Sequence, residues 1–155
     1  MIVTQLQAWQ IVVQDFINGH DEFVGGEEFQ SLSDYDINKH SCITIALPKG
    51  SGHTTMAAVI ASTYPTAVIY SDLEHLEEIR RAADICSESC AISVYELYYA
   101  IMTRNDPQQP TNNIEKLSQK LKDKKVVVVD QASLLLPGIR DWLLYASKGI
   151  VVFLG

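Results

Sequence analysis

The sequence predicts an α/β fold, a three-layer sandwich with a mainly parallel central sheet preceded by an N-terminal amphipathic helix. From residue 42 onward, short apolar runs rich in β-branched residues alternate with segments of helical periodicity. Several of these runs are apolar at every position, as in the four valines of 126–129, which is typical of parallel strands covered by helices on both faces. The length of 155 residues favours one domain. We expect an N-terminal helix and loop over 1–40 and a core over 41–155.

The N-terminal helix is predicted from a 4-3-4-3 spacing of apolar residues over 2–17. These residues are Ile2, Leu6, Trp9, Val13 and Phe16. Asn18 and Gly19 form a stop signal for this helix. Residues 19–40 are polar and contain several glycines, so we expect a loop there.

The first half of the core begins with a strand over 42–47, then a loop and an alanine-rich helix over 54–62. A second strand over 67–70 leads into Ser71 and Asp72, which are preferred helix N-caps. The helix that follows runs to residue 83, with Leu73, Leu76 and Ile79 predicted on its inward face.

The second half of the core continues the alternation with a short strand over 90–93 and a helix over 94–101. The segment RNDPQQP, at 104–110, is predicted as a loop. Asn112 and Glu115 form a capping box that opens a helix to residue 122. A buried strand is predicted over 125–129, a helix over 139–147 and a last strand over 150–154.

Composition and charge restrict the class of protein. The net charge is -7, and because phosphate affinity comes mainly from Lys and Arg, nucleic acid is expected as a partner only within an assembly. Three cysteines suit a reducing compartment. No segment has the apolar length of a membrane span and no signal peptide begins the sequence. We therefore expect a cytoplasmic protein with no membrane partner.

The segment LPKGSGHTT, at 47–55, has the composition of a phosphate-binding loop between a strand and a helix. Gly50 and Gly52 allow the backbone to curl around a phosphate, and the following helix presents its positive end. Thr54 and Thr55 supply hydroxyls of the kind that help to hold Mg²⁺. The alternative is a glycine-rich strand-to-helix turn with no ligand.

This loop departs from the pattern Gly-x-x-x-x-Gly-Lys-[Ser/Thr] at two positions. Leu47 stands at the first glycine and His53 at the lysine. His53 is shorter than lysine and is mostly neutral near pH 7 in its unperturbed form. Lys49, four residues earlier, is the candidate replacement, since its ammonium could fold back over the phosphates.

A second motif, KKVVVVDQAS, places Asp130 at the carboxyl end of a buried strand, the edge where parallel sheets bind ligands. An aspartate there holds the Mg²⁺ shell in phosphate-loop enzymes. The other interpretation is an aspartate that caps the next turn. Gln131 follows where many such ATPases have glutamate; an amide cannot act as a general base, although it can orient water. Hydrolysis is therefore expected to be slow.

The order of LPKGSGHTT, SD after a second strand, ISVYELYYAI, VVVVDQAS and GIVVFLG resembles the additional-strand (ASCE) class of P-loop NTPases. Within that class, residues 40–155 look most like the ATPase core of phage large terminases and superfamily 2 helicases, with degenerate Walker A and Walker B motifs. Terminases often carry Arg or Lys early in a deviant Walker A loop, which Lys49 matches. The resemblance implies a RecA-like core, in which strand 150–154 inserts between the Walker A and Walker B strands.

The resemblance also implies ATP and Mg²⁺ as cofactors, with Thr54 and Asp130 at the metal and Asp130, Gln131 and Lys49 in catalytic roles. The residues expected to bind nucleotide are Pro48, Lys49, Gly50, Ser51, Gly52, His53, Thr54 and Thr55. Gln10 is a candidate reader of adenine, or alternatively a surface glutamine on a helix. No arginine finger is assigned, because Arg80, Arg81, Arg104 and Arg140 are interpreted as solvated charges.

Three functions remain open. The first is an ATP-binding domain, at most a slow ATPase, that serves DNA packaging or another nucleic-acid transaction, in the host cytoplasm if the protein is viral. The second is an inactive pseudo-NTPase that acts as an interaction or regulatory module. A small-molecule kinase comes third, since residues 104–123 offer no arginine cluster for a lid. No nuclease or second motor domain follows in this sequence, so we expect a fragment or a reduced homologue with a protein partner or in a homo-oligomer.

Overall fold

A computed structural model describes residues 5–24, 41–46, 52–104, 108, 113–147 and 149–155. The strands are β1 (Cys42–Ile45), β2 (Thr66–Tyr70), β3 (Cys90–Ser93), β4 (Val126–Asp130) and β5 (Ile150–Leu154). The helices in the described residues are α1 (Gln5–Val24), α2 (His53–Thr63), α3 (Leu73–Ala82), α4 (Val94–Thr103), α5 (Asn113–Lys122) and α6 (Pro137–Ala146). A short 3-10 helix, Ala132–Leu134, follows β4.

The five strands form one sheet in the order β1-β5-β4-β2-β3, and every neighbouring pair is parallel. The predicted α/β class and parallel sheet are therefore confirmed. The last strand, β5, lies between β1 and β4, as expected from the resemblance. This order places the ends of β1 and β4, which carry the two sequence motifs, on either side of one inserted strand.

Helices cover both faces of the sheet, which explains why the central strands are apolar throughout. Val127 and Val129 of β4 pack in a cluster with residues of α4, α5 and α6. Val126 and Val128 pack on the opposite face with residues of α1 and α2. Because successive side chains of a strand point to opposite faces, all four valines are buried, and the three-layer sandwich is consistent with a RecA-like core.

The N-terminal helix is longer than the sequence predicts. We expected a stop at Asn18 and Gly19, but α1 continues to Val24. The first six residues of the loop expected over 19–40 are therefore helical, and residues 25–40 lie outside the described residues. Gly19 does not take the left-handed conformation that ends many helices. Two side-chain contacts hold this part of α1: Asn18 accepts a hydrogen bond from the Tyr64 hydroxyl at 2.9 Å, and His20 Nε2 lies 2.7 Å from Ser41 Oγ.

The inward face of α3 also differs from the prediction. Asp72 caps this helix as expected, since its side chain accepts from the His75 backbone N–H at 2.8 Å. Leu76 and Ile79 are buried, but Leu73 is 72% exposed. His75 is buried instead, with 4% exposure, and a buried imidazole requires hydrogen-bond partners.

The other helix and strand boundaries agree with the prediction within three residues, apart from the capping box, whereas most of the loop predicted over 104–110 lies outside the described residues. Asn112 lies outside the described residues, whereas Glu115 lies in the first turn of α5. No helix among the described residues is long and apolar enough to cross a membrane.

Candidate functional site

The order of the strands creates a topological switch point at the carboxyl edge of the sheet, between β2 and β4. The chain leaves β4 toward β5 on one side and leaves β2 toward β3 on the other. The two connections run on opposite faces, since α6 packs with Val129 and α3 packs with Val68. Ligands of open α/β sheets bind at such a switch point. Asp130 ends β4 here, and Ser71 directly follows β2.

Asp130 is the centre of the site, and its carboxylate accepts four hydrogen bonds although it is almost fully buried. Oδ1 lies 2.5 Å from His53 Nδ1 and accepts from the Gln131 backbone N–H at 3.0 Å. Oδ2 accepts from the Thr54 hydroxyl at 2.8 Å and lies 2.6 Å from His75 Nε2. A carboxylate offers about four lone-pair positions, so all of them are used.

The hydrogen bonds of His75 fix its neutral tautomer. The backbone N–H of Ser71 donates to His75 Nδ1 at 3.0 Å, and an atom that accepts this bond carries no proton. The proton of the neutral ring therefore lies on Nε2, which donates to Asp130. The same Nδ1 lies 3.0 Å from the hydroxyl oxygen of Ser71. Ser71, His75 and Asp130 thus form a continuous chain of hydrogen bonds from the surface to the buried carboxylate.

The pKa of Asp130 follows from two opposing effects. Burial by itself raises the pKa of this carboxyl group, because it disfavours the charged form. The hydrogen bonds from His75, Thr54 and His53 outweigh burial and lower the pKa of Asp130 below its ordinary value. Asp130 is therefore an anion at neutral pH, held by side chains of α2 and α3 and by the backbone N–H of Gln131.

Helix α2 begins at the site. Gly52 precedes it with φ of 91°, a left-handed conformation that favours glycine, and its carbonyl accepts from the Met56 N–H at 3.0 Å. His53, Thr54 and Thr55 form the first turn and are half-buried. Their side chains lie at the end of the helix where backbone N–H groups and the helix dipole favour an anion.

His53 binds Asp130 through Nδ1, and the opposite edge of its ring faces Gly155. A Cβ built on Gly155 would lie 3.7 Å from both Cε1 and Nε2 of His53. The N–H of Gly155 donates to the Ile45 carbonyl at 2.9 Å, which joins the end of β5 to the end of β1. The histidine at the lysine position is therefore anchored to the second motif rather than extended on a flexible chain.

Gln131 has a left-handed backbone, with φ of 58° and ψ of 43°. Among non-glycine residues this conformation is uncommon and is often found at functional positions. Its N–H binds Asp130 while its side chain is half-buried. The expectation that this side chain orients water stays a prediction.

The remaining predicted residues divide into two groups. Pro48, Lys49, Gly50 and Ser51 lie outside the described residues. Gln10 is half-buried in α1, and none of the hydrogen bonds made by Asp130 in the described part of the chain comes from it.

Two residues were missed or misinterpreted from the sequence. His75 was not predicted, although its place one position before Leu76 on the buried face of α3 was a signal. Arg140 was expected to be a solvated charge; instead it donates to the Thr44 hydroxyl at 2.7 Å and lies 4.1 Å from the ring centroid of Phe153. It therefore links α6 to β1 and β5 through a hydrogen bond and a cation–π contact.

The site offers oxygen atoms to Mg²⁺, which prefers oxygen ligands in octahedral geometry and keeps several waters. The Thr54 hydroxyl gives its proton to Asp130, so its lone pairs remain for a cation. Asp130 already accepts four bonds, so it would accept from a metal-bound water only in place of one of these donors. In the part of the chain that the structure describes, no group of three or more His, Cys, Asp or Glu side chains could hold a metal ion by itself.

Comparison with models of protein families finds no match to this sequence, and comparison with curated proteins finds none either.

Proposed function

We propose that this protein binds ATP with Mg²⁺ at the carboxyl edge of its sheet and hydrolyses it slowly in a nucleic-acid transaction such as DNA packaging. The observation that carries the proposal is the 2.8 Å hydrogen bond between the Thr54 hydroxyl and Asp130. It joins the loop motif to the strand motif across the inserted strand β5, although 76 residues separate them.

In a protein with this strand order, the described residues of the site would supply groups that bind a triphosphate and its metal ion. The first turn of α2 offers N–H groups and a positive dipole end to phosphate oxygens. Thr54 would hold the metal through its free lone pairs. Asp130 would keep its bond from the Thr54 hydroxyl and would accept from a metal-bound water in place of one of its other present donors. When bound, Mg²⁺ would neutralise charge on the phosphates. Lys49 remains the candidate cation for the terminal phosphate.

Slow hydrolysis is proposed because the position after Asp130 carries an amide. Gln131 cannot remove a proton from water, so it would contribute orientation alone. A partner protein that supplies a base or an arginine would then raise the rate.

The second candidate, a pseudo-NTPase that serves as an interaction module, is favoured by a different observation. His53 lies 2.5 Å from Asp130, and together with three other donors it fills the carboxylate without any ligand. Such a closed cluster would stabilise the edge of the sheet in a protein that no longer uses nucleotide.

The test is a calorimetric titration of ATP with Mg²⁺ into the wild-type protein and two threonine variants of α2. Thr54→Val removes the hydroxyl that binds Asp130 and should weaken ATP binding by about tenfold or more, the equivalent of one hydrogen bond to a charged group. Thr63→Val is the matched control, since its hydroxyl donates to the Val59 carbonyl at the far end of the same helix; ATP affinity should stay unchanged.

Phosphate release from the same samples separates the two candidates. Saturable binding with slow release supports a slow ATPase, and binding without release supports a nucleotide-gated module. The absence of binding at millimolar ATP would overturn the proposal for this chain, and Lys49→Ala shows whether the early lysine replaces the missing one.

A further inference from the structure

We infer that this protein has a second, hydrolytic activity toward carboxylic esters, in which Ser71 is the nucleophile, His75 is the base and Asp130 orients the histidine. The inference rests on the chain of hydrogen bonds that the three side chains form at the carboxyl edge of the sheet, between β2 and β4. It shares Asp130 with the nucleotide proposal but uses the Ser71 hydroxyl, which nucleotide binding does not use.

The distances are those of a serine–histidine–carboxylate triad. Ser71 Oγ lies 3.0 Å from His75 Nδ1, and His75 Nε2 lies 2.6 Å from Asp130 Oδ2. A nucleophile and a base in mutual hydrogen-bond reach, with the base oriented by a third group, are the signature of an activated hydroxyl. The two ring nitrogens have exchanged roles relative to the serine proteases, which leaves the proton path intact.

The tautomer leaves Nδ1 of His75 unprotonated and able to accept a proton. The Ser71 hydroxyl shares the one lone pair of this nitrogen with the Ser71 backbone N–H, which also lies 3.0 Å from it. Nε2 carries the proton and points to Asp130, whose charge would stabilise an imidazolium. Reversing the tautomer would break both the Ser71 N–H bond and the Asp130 bond. Uptake of the serine proton at Nδ1 requires the Ser71 backbone N–H bond to open, while the bond from Nε2 to Asp130 is kept.

The three residues differ in exposure: Asp130 and His75 are buried, and Ser71 is the most exposed of them. His75 is 4% and Asp130 2% exposed, whereas Ser71 is half-buried at the carboxyl edge of the sheet. The base and the carboxylate are thus shielded from water while the hydroxyl lies where a substrate can arrive.

The position of Ser71 in the chain also suits a nucleophile. It stands in the turn between strand β2 and helix α3, the place that carries the serine in α/β-hydrolases. The N–H groups of Leu73 and Glu74 begin α3 and have no intrahelical acceptor. Together with the helix dipole, these N–H groups would stabilise the negative charge that develops on the substrate oxygen close to the serine. The glycines of the hydrolase motif are absent here, since Ile69 and Leu73 stand at their positions.

The reaction requires water as its co-reactant. Ser71 Oγ attacks the ester carbonyl carbon as its proton moves to His75 Nδ1. The bond from that carbon to the alcohol oxygen breaks, and the proton passes from Nδ1 to the departing alcohol. Water then attacks the acyl-serine and gives a proton to Nδ1, the acyl–Oγ bond breaks, and Ser71 regains its proton as the carboxylic acid leaves.

The test is covalent labelling of the whole protein with a fluorophosphonate probe, followed by mass spectrometry of its peptides. We expect one label on Ser71, lost in Ser71→Ala and strongly reduced in His75→Gln. Ser62→Ala is the matched control, because its hydroxyl is exposed and donates to the Val59 carbonyl without a histidine; labelling should continue there. Circular dichroism of each variant shows whether it folds, and Ser71→Ala removes only a hydroxyl.

Hydrolysis of p-nitrophenyl acetate provides the second readout. The catalysed rate should fall about 100-fold or more in Ser71→Ala, the usual contribution of positioned base catalysis, while ATP affinity stays unchanged. Absence of label at Ser71, or equal hydrolysis by the wild type and Ser71→Ala, would overturn the inference. Neither result would affect the proposal for ATP, which Thr54→Val tests.

Discussion

Replacing Asp130 with asparagine should destabilise the fold strongly, although the two side chains have almost the same shape. Each carboxylate oxygen faces a donor that cannot become an acceptor. Oδ1 faces the backbone N–H of Gln131, and Oδ2 faces Nε2–H of His75, whose tautomer is held by the Ser71 N–H. Whichever way the asparagine amide turns, its NH₂ group meets one of these fixed donors.

The magnitude follows from the bonds that are lost. A hydrogen bond to a charged group contributes about 1.5–3 kcal/mol, and a buried donor left without an acceptor costs about 1–3 kcal/mol. One bond lost and one donor stranded give a total loss of about 2.5–6 kcal/mol. This is a large fraction of the stability of an ordinary domain, which is about 5–15 kcal/mol.

The assay is unfolding in urea at neutral pH, followed through the fluorescence of Trp9 and Trp142. Asp123→Asn is the matched control, because Asp123 is exposed, and surface substitutions usually change stability by less than about 0.5 kcal/mol. If Asp130→Asn also lost less than about 0.5 kcal/mol, the fixed-donor explanation would be refuted.

Three further predictions concern pH and packing. The pKa of Asp130 is lowered in the folded protein, so its contribution to stability is present above about pH 4 and is lost as the pH falls toward the folded-state pKa; the difference between wild type and Asp130→Asn should shrink over that range in urea titrations. Gly149→Ala should cost about 3 kcal/mol, because the added Cβ would lie 2.2 Å from the Lys125 carbonyl oxygen. Arg140→Lys should cost about 1–2 kcal/mol, since lysine cannot stack its charge flat on Phe153 while donating to the strand.

Each of the packing predictions has a control in the same chain. Gly19 lies inside α1 with nothing within 4 Å of an added Cβ, so Gly19→Ala should stabilise the protein by about 0.5–1 kcal/mol. Arg80→Lys, at an exposed position of α3, should be neutral. Equal effects of the two alanine substitutions, or of the two lysine substitutions, would count against the packing described for Gly149 and Arg140.

The sheet was predictable because burial on both faces leaves a direct signal in the sequence. The four valines of β4 indicated a central strand, and the aspartate after them indicated its carboxyl end. The end of α1 was not predictable in the same way. Asn18 and Gly19 are local stop signals, but Tyr64 and Ser41 bind Asn18 and His20 from distant parts of the chain, and such contacts override local preference.

Thr54 and Asp130 could be predicted as site residues from the sequence, but the hydrogen bond between His75 and Asp130 could not. Thr54 and Asp130 follow from two motifs, each recognisable by itself. His75 does not belong to a motif, and its role depends on the pairing of β2 with β4, which brings the start of α3 to Asp130. A polar residue on the apolar face of a helix is the one local sign of such a role, because a buried imidazole needs partners.

The most direct test of the nucleotide proposal is histidine-selective ¹⁵N NMR of the protein during a titration with ATP and Mg²⁺. Four histidines are present, and His53 and His75 are the two that bind Asp130. The proposal predicts saturable shifts of the ring signals of His53 and His75, while the signals of His20, which binds Ser41, stay in place. Unchanged signals of His53 and His75 at millimolar ATP would contradict a nucleotide site at Asp130.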